Sequence, residues 1–239
     1  MTRQQFPLDR LKALSYIAAI AACALLAGCP PHLAPLVAVA LAPADRAQAL
    51  LWTRRSLPGR DTAIRFRFRY EDRHRRWGGR GTARVAPPDS LRFDYVGPLG
   101  LGAGAAVVVG DSAVWADPEE NFRALVPAVR MLWAGLGVVR PPQPGASVAG
   151  GEFPSRTIWR FVEGSDTLDY VATDGAPRTL EAEWRREGKL LARSRTELAG
   201  AQPIKARIDF PEGPARFELT VVGVDTTVVF APSLWRSRH

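Results

Sequence analysis

Few side chains in this sequence could carry out covalent or metal chemistry. The chain has 239 residues, with two cysteines and three histidines. The histidines lie far from one another, at His32, His74 and His239. No two of them therefore have the close spacing that is typical of a metal site. Asp111-Ser112 follows a glycine, as in some serine hydrolases, but strand-forming residues come next and no histidine is placed to activate the serine.

Paired carboxylates offer the other route to catalysis. Glu181 and Glu183 alternate with apolar residues, so we place both on the outer, wet face of a strand. We interpret them as solvated charges rather than as the acid pair of a glycosidase. The sequence thus favours a binding protein without metal or cofactor, and a hydrolase is the alternative.

Cys29 is the one residue whose surroundings indicate a covalent modification. It ends the tetrapeptide Leu-Ala-Gly-Cys, which resembles the lipobox of bacterial lipoprotein precursors. A basic N-terminal region and an apolar run over residues 13–26 precede it, and this run is shorter than the ~20 residues that span a bilayer. We expect residues 1–28 to be a signal peptide. We expect Cys29 to be lipidated, with fatty acyl groups such as palmitate.

Other interpretations of the N-terminus conflict with its prolines. A transmembrane helix reaching residue 42 would contain Pro30, Pro31 and Pro35, which remove backbone donors and break helices. Cleavage after Ala40 by the ordinary signal peptidase stays open as an alternative. After cleavage at the lipobox Cys29 is the only cysteine, so no disulfide can form within one chain.

The remaining chain divides into a tether and a domain. Residues 29–43 are apolar and rich in proline, which predicts a semi-rigid lipidated tether. Residues 44–239 are expected to form a single domain.

The chain is basic, and arginine supplies most of its positive charge. It carries 32 Lys and Arg against 24 Asp and Glu, a formal net charge of +8. Such a charge suits nucleic acid or anionic lipid head groups, and the export signal argues against nucleic acid. The densest basic cluster comprises Arg69, Arg73, His74, Arg75 and Arg76. It predicts a solvated hairpin turn, and contact with phospholipid phosphates is the alternative.

Period-two alternation dominates the chain after residue 60. Apolar residues alternate with polar or charged ones in five segments, at 64–70, 91–95, 180–185, 204–210 and 216–221. This pattern is typical of antiparallel strands with one apolar and one wet face. We expect nine to eleven short strands in a strongly curved antiparallel sheet.

Two helical segments accompany the strands. The first is predicted over residues 45–57, with one apolar face. That face would hold Ala47, Leu50, Leu51 and Leu57. The second runs through residues 119–136 after a proline at its first turn, with Pro127 splitting it and glycines ending it. We expect this second segment to form a lid across the apolar face, within a mainly β fold with helices (α+β).

A Gly-Pro-Leu-Gly turn at residues 97–100 ends one of the predicted strands. The helical segment and a Trp-Ala-Gly-Leu-Gly exit at residues 133–137 follow, and later Pro203 precedes an Ile-x-Ala-x-Ile strand. This series resembles the LolB family of outer-membrane lipoprotein receptors, within the LolA/LolB-like fold. The resemblance covers roughly residues 50–230.

The resemblance implies a half-open β-barrel whose apolar hollow holds acyl chains of lipoproteins or phospholipid. The apolar faces of the strands and lid supply a candidate lining: Phe66, Phe68, Phe93, Trp133, Trp184, Ile208 and Phe217. The resemblance also implies an exposed apolar loop that helps deliver lipoproteins to the membrane, at Pro98, Leu99 and Leu101. In the alternative, Leu99 folds back into the core. A periplasmic LolA-type carrier is an implied partner.

The expected role is that of an outer-membrane lipoprotein that binds acyl chains and helps to localise or insert lipoproteins. Pro30 stands where an Asp usually marks inner-membrane retention, which predicts the periplasmic face of the outer membrane. The alternative is a structural or assembly lipoprotein that holds a protein partner on the same sheet. An open hollow favours the first role, and a collapsed core with an apolar outer patch favours the second. Perturbed titratable groups in a cleft would favour a periplasmic hydrolase.

Overall fold

The computed structural model describes residues 35–98, 102–117 and 129–236. The helices described there are α1 (Arg46–Ser56), α2 (Val129–Gly135) and the 3-10 helix Pro232–Trp235. The strands are β1 (Thr62–Glu71), β2 (Arg76–Ala86), β3 (Ser90–Val96), β4 (Ala103–Val109), β5 (Ser112–Asp117), β6 (Ser147–Phe153), β7 (Arg156–Glu163), β8 (Asp166–Thr173), β9 (Arg178–Arg186), β10 (Lys189–Ala199), β11 (Gln202–Phe210) and β12 (Ala215–Asp225). None of these helices is long and apolar enough to cross a membrane.

All twelve strands belong to one curved, open antiparallel sheet. Their order is β5-β4-β3-β2-β1-β12-β11-β10-β9-β8-β7-β6, so the first and last strands of the chain pair in the middle of the sheet. The edges are β5 and β6, which follow each other in the chain and are connected through α2. The predicted fold class is confirmed, with twelve strands where nine to eleven were expected.

Strand β2 escapes the alternation pattern because it is rich in glycine. In β2 the inward positions of Gly79 and Gly81 carry no side chain. A Cβ on Gly79 would lie 2.2 Å from the Val96 carbonyl oxygen, and one on Gly81 would lie 2.4 Å from the ring of Phe66. Neighbouring groups thus occupy the space that an apolar side chain would need.

Helix α1 begins after its N-cap residue Asp45 and packs on the concave face of the sheet. Ala49 and Thr53 are its buried residues. The half-buried Trp52 lies between them, and its ring centroid is 6.4 Å from that of Trp159 on β7. Aromatic packing against β7 and β8 therefore holds this helix.

The buried face of α1 differs from the predicted one. Ala47 is exposed, and Leu51 is 57 % exposed. Leu50 is half-buried and Leu57 packs against the core, as predicted. The prediction was wrong for Ala47 and Leu51 because Trp52 packs against Trp159 and Tyr170, with ring centroids 6.4 and 6.3 Å away. Since one residue turns a helix by about 100°, burying Trp52 leaves its neighbour Leu51 in solvent.

Helix α2 is almost completely buried against β9, β10 and β11. Its end is tied down by the Thr196 hydroxyl, which donates to the Ala134 carbonyl oxygen at 2.8 Å. The chain then turns away at Gly137, whose φ is +80°. Gly135 is the last residue of α2 and Gly137 follows it, so glycines end the helix as predicted. Residues 119–128 of the predicted lid lie outside the described residues.

Two segments near the chain ends cover parts of the outer face of the sheet. Residues 36–44 run over β9 to β6: the Leu36 N–H donates to Glu183 Oε2 at 3.1 Å, and Arg160 Nη2 donates to the Val37 carbonyl oxygen at 3.0 Å. On the other half, Arg92 Nη1 donates to the Leu234 carbonyl oxygen at 2.7 Å. Residues 36–43, expected in the tether, are thus bound to the sheet.

Candidate functional site

Aromatic side chains from neighbouring central strands meet on the concave face at one end of the sheet. Because the strands alternate in direction, the β1–β2 turn and the β3–β4 loop lie at this same end. The ring centroid of Phe68 lies 5.1 Å from that of Trp77, 6.0 Å from Tyr95 and 5.9 Å from Phe217. Tyr70 completes the group, 5.9 Å from Trp77. These five residues are called the aromatic cluster below.

Strand register and a glycine create the cluster. Tyr70 pairs directly with Trp77 on β2 and with Phe217 on β12. Phe68 pairs with Gly79, and a Cβ on that glycine would lie 3.0 Å from the Phe68 ring. The Phe68 ring therefore occupies the space above a residue that lacks a side chain.

A small apolar cavity lies beside the cluster. Its volume is about 40 Å³, and Leu132 of α2 contributes to its wall. The described residues that line it are Phe66, Phe68, Tyr70, Trp77, Phe93, Asp94, Tyr95, Ala106, Leu132 and Phe217. One water molecule needs at least about 10–15 Å³ of such space, so the cavity has room for only a few water molecules. It is therefore too small for an acyl chain in this conformation. Aromatic rings fill most of the predicted hollow.

Four of the seven predicted lining residues lie around this cavity. They are Phe66, Phe68, Phe93 and Phe217. Trp133 lies elsewhere in the core, where its indole N–H donates to the Gly110 carbonyl oxygen at 3.0 Å. Ile208 is buried near Gly135, and the half-buried Trp184 lies beneath Arg186 at 5.2 Å. These three residues are absent from the described cavity wall.

The other six residues of the described cavity wall were not predicted as lining residues: Tyr70, Trp77, Asp94, Tyr95, Ala106 and Leu132. Tyr70 and Tyr95 did appear in the alternation pattern, on the same faces as predicted lining residues. Trp77 precedes a glycine pair and so falls in no alternating segment. Only the hairpin register, which places Trp77 opposite Tyr70, could have revealed its position.

The predicted membrane-insertion loop connects β3 and β4 at the end of the sheet that holds the aromatic cluster. Its base is closed by the Gly97 N–H, which donates to the Gly102 carbonyl oxygen at 2.8 Å. Pro98 is exposed. Leu99 and Leu101 lie outside the described residues.

A network of charged groups joins α2 to two distant parts of the sheet. Asp111, in the β4–β5 turn, accepts from Arg130 Nη2 at 2.7 Å and from Arg140 Nε at 3.1 Å. Arg130 also reaches Glu163 at the end of β7, at 2.7 Å. Burial raises the pKa of the neighbouring Tyr170. Since the carboxylates of Asp111 and Glu163 are both paired, we interpret this network as structural.

Glu183 is also structural, although the sequence placed it in solvent. Its side chain is fully buried and accepts hydrogen bonds from Arg185 and Arg193. The Leu36 N–H donates to the same carboxylate. The prediction of a solvated charge was wrong for Glu183 because the segment that begins at Leu36 covers it. Glu181 is less buried and pairs with Arg195.

The outer face carries a wider groove. Its volume is about 570 Å³, and it lies between the C-terminal segment and strands β2 and β3. Its lining residues are Arg84, Arg92, Val229, Phe230, Ala231, Ser233, Leu234 and Arg236. Within residues 35–98, 102–117 and 129–236, no group of three or more His, Cys, Asp or Glu side chains could hold a metal ion.

Comparison with solved structures identifies the fold. No protein-family model and no curated protein matches the sequence. A LolA superfamily protein from Nitrosomonas europaea is 12 % identical, with a TM-score of 0.52, covering 81 % of this chain and 99 % of its own. A domain from Vibrio parahaemolyticus, described as an outer membrane lipoprotein-sorting protein, is 8 % identical, with a TM-score of 0.50, covering 78 % and 94 %. The chain therefore has a LolA-like fold.

Proposed function

We propose that this chain is a lipid-anchored protein of the bacterial outer membrane that binds acyl chains and helps to localise or insert lipoproteins. The observation that carries the proposal is the apolar cavity beside the aromatic cluster. Among the described residues, its wall combines rings from β1, β2, β3 and β12 and Ala106 of β4 with Leu132 from α2, so helix and sheet both contribute to it. The lipoprotein-sorting role ascribed to the Vibrio domain of the same fold supports this assignment.

Binding an acyl chain requires the cavity to widen. Its volume of about 40 Å³ is only a few times the roughly 10–15 Å³ that one water molecule needs. Moving α2 outward would withdraw Leu132 from the aromatic cluster and lengthen the cavity between helix and sheet. Each methylene group buried there contributes about 0.8 kcal/mol, which offsets the cost of separating the packed surfaces.

In this proposal the protein is anchored through Cys29 and has no catalytic role. Acylation of Cys29 would hold the protein at the periplasmic face of the outer membrane, since two or more acyl chains anchor stably where one does not. The loop at Pro98, Leu99 and Leu101 would contact the membrane during transfer. We infer no enzymatic role, because the charged network around Asp111 and the carboxylate of Glu183 are occupied by arginines.

The test compares a variant that fills the cavity with one that enlarges it. Ala106→Leu adds carbon atoms at a wall residue that is 1 % exposed, whereas Phe217→Leu removes part of a ring from the same wall. A fluorescent fatty acid is titrated against each soluble variant, and circular dichroism checks folding. We expect Ala106→Leu to weaken binding at least tenfold, and Phe217→Leu to keep or strengthen it. Equal affinities of the two variants would mean that the fatty acid binds outside this cavity.

A second candidate is a structural or assembly lipoprotein that holds a protein partner. The small cavity favours it, because a nearly filled core leaves little space for cargo. The outer groove beside Phe230 and Leu234 then offers the larger binding surface. Under this proposal no variant binds the fatty acid, and Leu234→Glu abolishes capture of the partner.

A further inference from the structure

Arginines without a partner concentrate on the β1–β2 hairpin. Most arginines of the described part bind a carboxylate or a carbonyl oxygen, as Arg186 binds Asp166 and Arg207 binds Asp209. Six exposed arginines on the hairpin have no salt bridge, hydrogen bond or ring contact through their side chains within the described residues. One of them, Arg65, lies near Asp225 and lowers the pKa of that carboxyl group, so only the other five are considered below. They are Arg67, Arg69, Arg73, Arg75 and Arg80. These five residues are called the arginine patch.

Two members of the patch face each other across the strands. Arg67 on β1 pairs directly with Arg80 on β2, and both side chains point to the outer face. Like charges directly opposite each other destabilise a sheet. The pairing of Arg67 with Arg80 therefore does not stabilise the folded domain.

The neighbouring strands show how the same sheet neutralises such a pair. Arg84 on β2 lies directly opposite Arg92 on β3. There, Asp94 binds both guanidinium groups, and its distance to Arg92 Nη2 is 2.7 Å. Arg67 and Arg80 have no carboxylate in the corresponding position, which leaves their charge available to an external anion.

The acidic residues of the hairpin are already engaged. Glu71 binds Arg76 at 2.6 Å, and this contact lowers the pKa of Glu71. Asp72 accepts from the backbone N–H groups of His74 and Arg75, both at 2.8 Å, and so holds the turn. On β12, Glu218 lies opposite Arg69 and also opposite Arg207 on β11. The hairpin therefore keeps an excess of positive charge.

We propose that the arginine patch docks on the head groups of anionic phospholipids. Planar guanidinium groups bind phosphate oxygens in a bidentate geometry. The half-buried Tyr70 and Trp77 lie at the same end of the hairpin, and such side chains with an apolar body and a polar tip favour the membrane interface. The choice of lipid over another polyanion rests on the proposed function.

The chain length next to the anchor agrees with this docking. Seven peptide units separate Cys29 from Leu36, which is bound to the sheet. Such a segment spans at most about 25 Å. If Cys29 is acylated, the folded domain stays close to the head groups, and an anionic surface is the nearest large source of negative charge.

The experiment measures vesicle binding without the acyl group. A chain starting at Pro30 contains every described residue and no lipidated cysteine. It is mixed with vesicles of phosphatidylcholine alone or with phosphatidylglycerol added, and bound protein is measured by co-sedimentation at low and physiological salt. The test variant is Arg67→Gln/Arg80→Gln. The control Arg186→Gln/Arg207→Gln removes the same charge from exposed arginines that already have partners.

We expect the unmodified chain to prefer vesicles with phosphatidylglycerol and to lose binding as salt rises, since screening acts within about 8 Å at physiological ionic strength. Each arginine near an anionic surface contributes about fivefold to the partition. The test variant should therefore bind about 25-fold more weakly, with an unchanged or raised melting temperature, and the control should bind normally. Equal losses in both variants, or no preference for phosphatidylglycerol, would overturn the proposal.

Failure of the proposed function gives a different result. Arg67→Gln/Arg80→Gln leaves the cavity wall intact, so the affinity for a fluorescent fatty acid should not change. If no variant binds the fatty acid while vesicle binding still depends on Arg67 and Arg80, acyl binding is refuted and the docking surface stands. Binding to heparin without binding to vesicles would identify another polyanion as the ligand and overturn the lipid assignment.

Discussion

At the scale of single residues, a missing side chain at Gly81 determines how Phe66 lies beside the cavity. Gly81 pairs with Phe66, and the Phe66 ring occupies the space that a Cβ would take. The ring is 2 % exposed and forms part of the cavity wall. Gly151 on β6 is a matched position, because a Cβ there meets nothing within 4 Å.

We expect Gly81→Ala to destabilise the fold by about 1–3 kcal/mol, the usual cost of overpacking a core. It should also weaken fatty-acid binding, since the Phe66 ring must move toward the cavity. Gly151→Ala should change the free energy of unfolding by less than about 0.5 kcal/mol, as surface substitutions usually do. Urea denaturation of both variants measures the difference. Equal stability of the two would show that the ring moves aside without cost.

The sequence alone could identify only some residues of the cavity wall. The alternation of apolar and polar residues identified four lining residues, because each shares a strand face with other apolar residues. They are Phe66, Phe68, Phe93 and Phe217. Trp77 stayed hidden, since its neighbours are glycines and its role depends on pairing with Tyr70.

At the scale of elements, contacts between distant segments decide which charges are buried. Alternation gave the same interpretation for Glu181 and Glu183, because both point away from the concave face. Only Glu183 is covered, by a segment that begins 147 positions earlier at Leu36. For the same reason Leu51 was wrongly predicted to lie on the apolar face of α1: Trp52 packs against β7 and β8, which come about a hundred residues later.

The two glutamates form a matched pair for measuring that burial. Glu183→Gln keeps the size of the side chain but removes the charge that Arg185 and Arg193 share. We expect a loss of about 3–5 kcal/mol, typical of removing one partner from a buried ion pair. Glu181→Gln should cost only about 0–1 kcal/mol, because its partner Arg195 is 56 % exposed.

Thermal unfolding and limited proteolysis near residue 36 check this prediction together. Loss of the Glu183 charge should release residues 36–38 to a protease before the domain unfolds. Similar melting temperatures for the two variants would contradict a structural role for the segment that starts at Leu36.

At the scale of the whole molecule, chain direction separates two ends of the sheet. The β1–β2 turn, with Arg73 and Arg75, lies at the same end as the aromatic cluster. The β6–β7 turn, with Ser155, lies at the opposite strand ends because the strands alternate in direction. A protein held by a short anchor and docked through the arginine patch should therefore present only the first end to the bilayer.

This orientation can be measured in the acylated protein on vesicles that contain phosphatidylglycerol. A fluorophore is attached at His74→Cys in the first turn or at Ser155→Cys in the second, since both positions are exposed. The thiol of Cys29 does not react with the fluorophore if it carries the predicted diacylglycerol. We expect quenchers carried by the lipid to act strongly on the label at position 74 and weakly on that at 155.

Inserting a Gly/Ser linker of ~20 residues after Pro31 adds a root-mean-square reach of about 25 Å, which lowers the effective concentration of the patch at the membrane. The longer tether should then keep quenching at position 74 in low salt and lose it at physiological salt. Equal quenching at both positions, with either tether, would mean that the anchor alone holds the domain at the membrane and that no face is preferred.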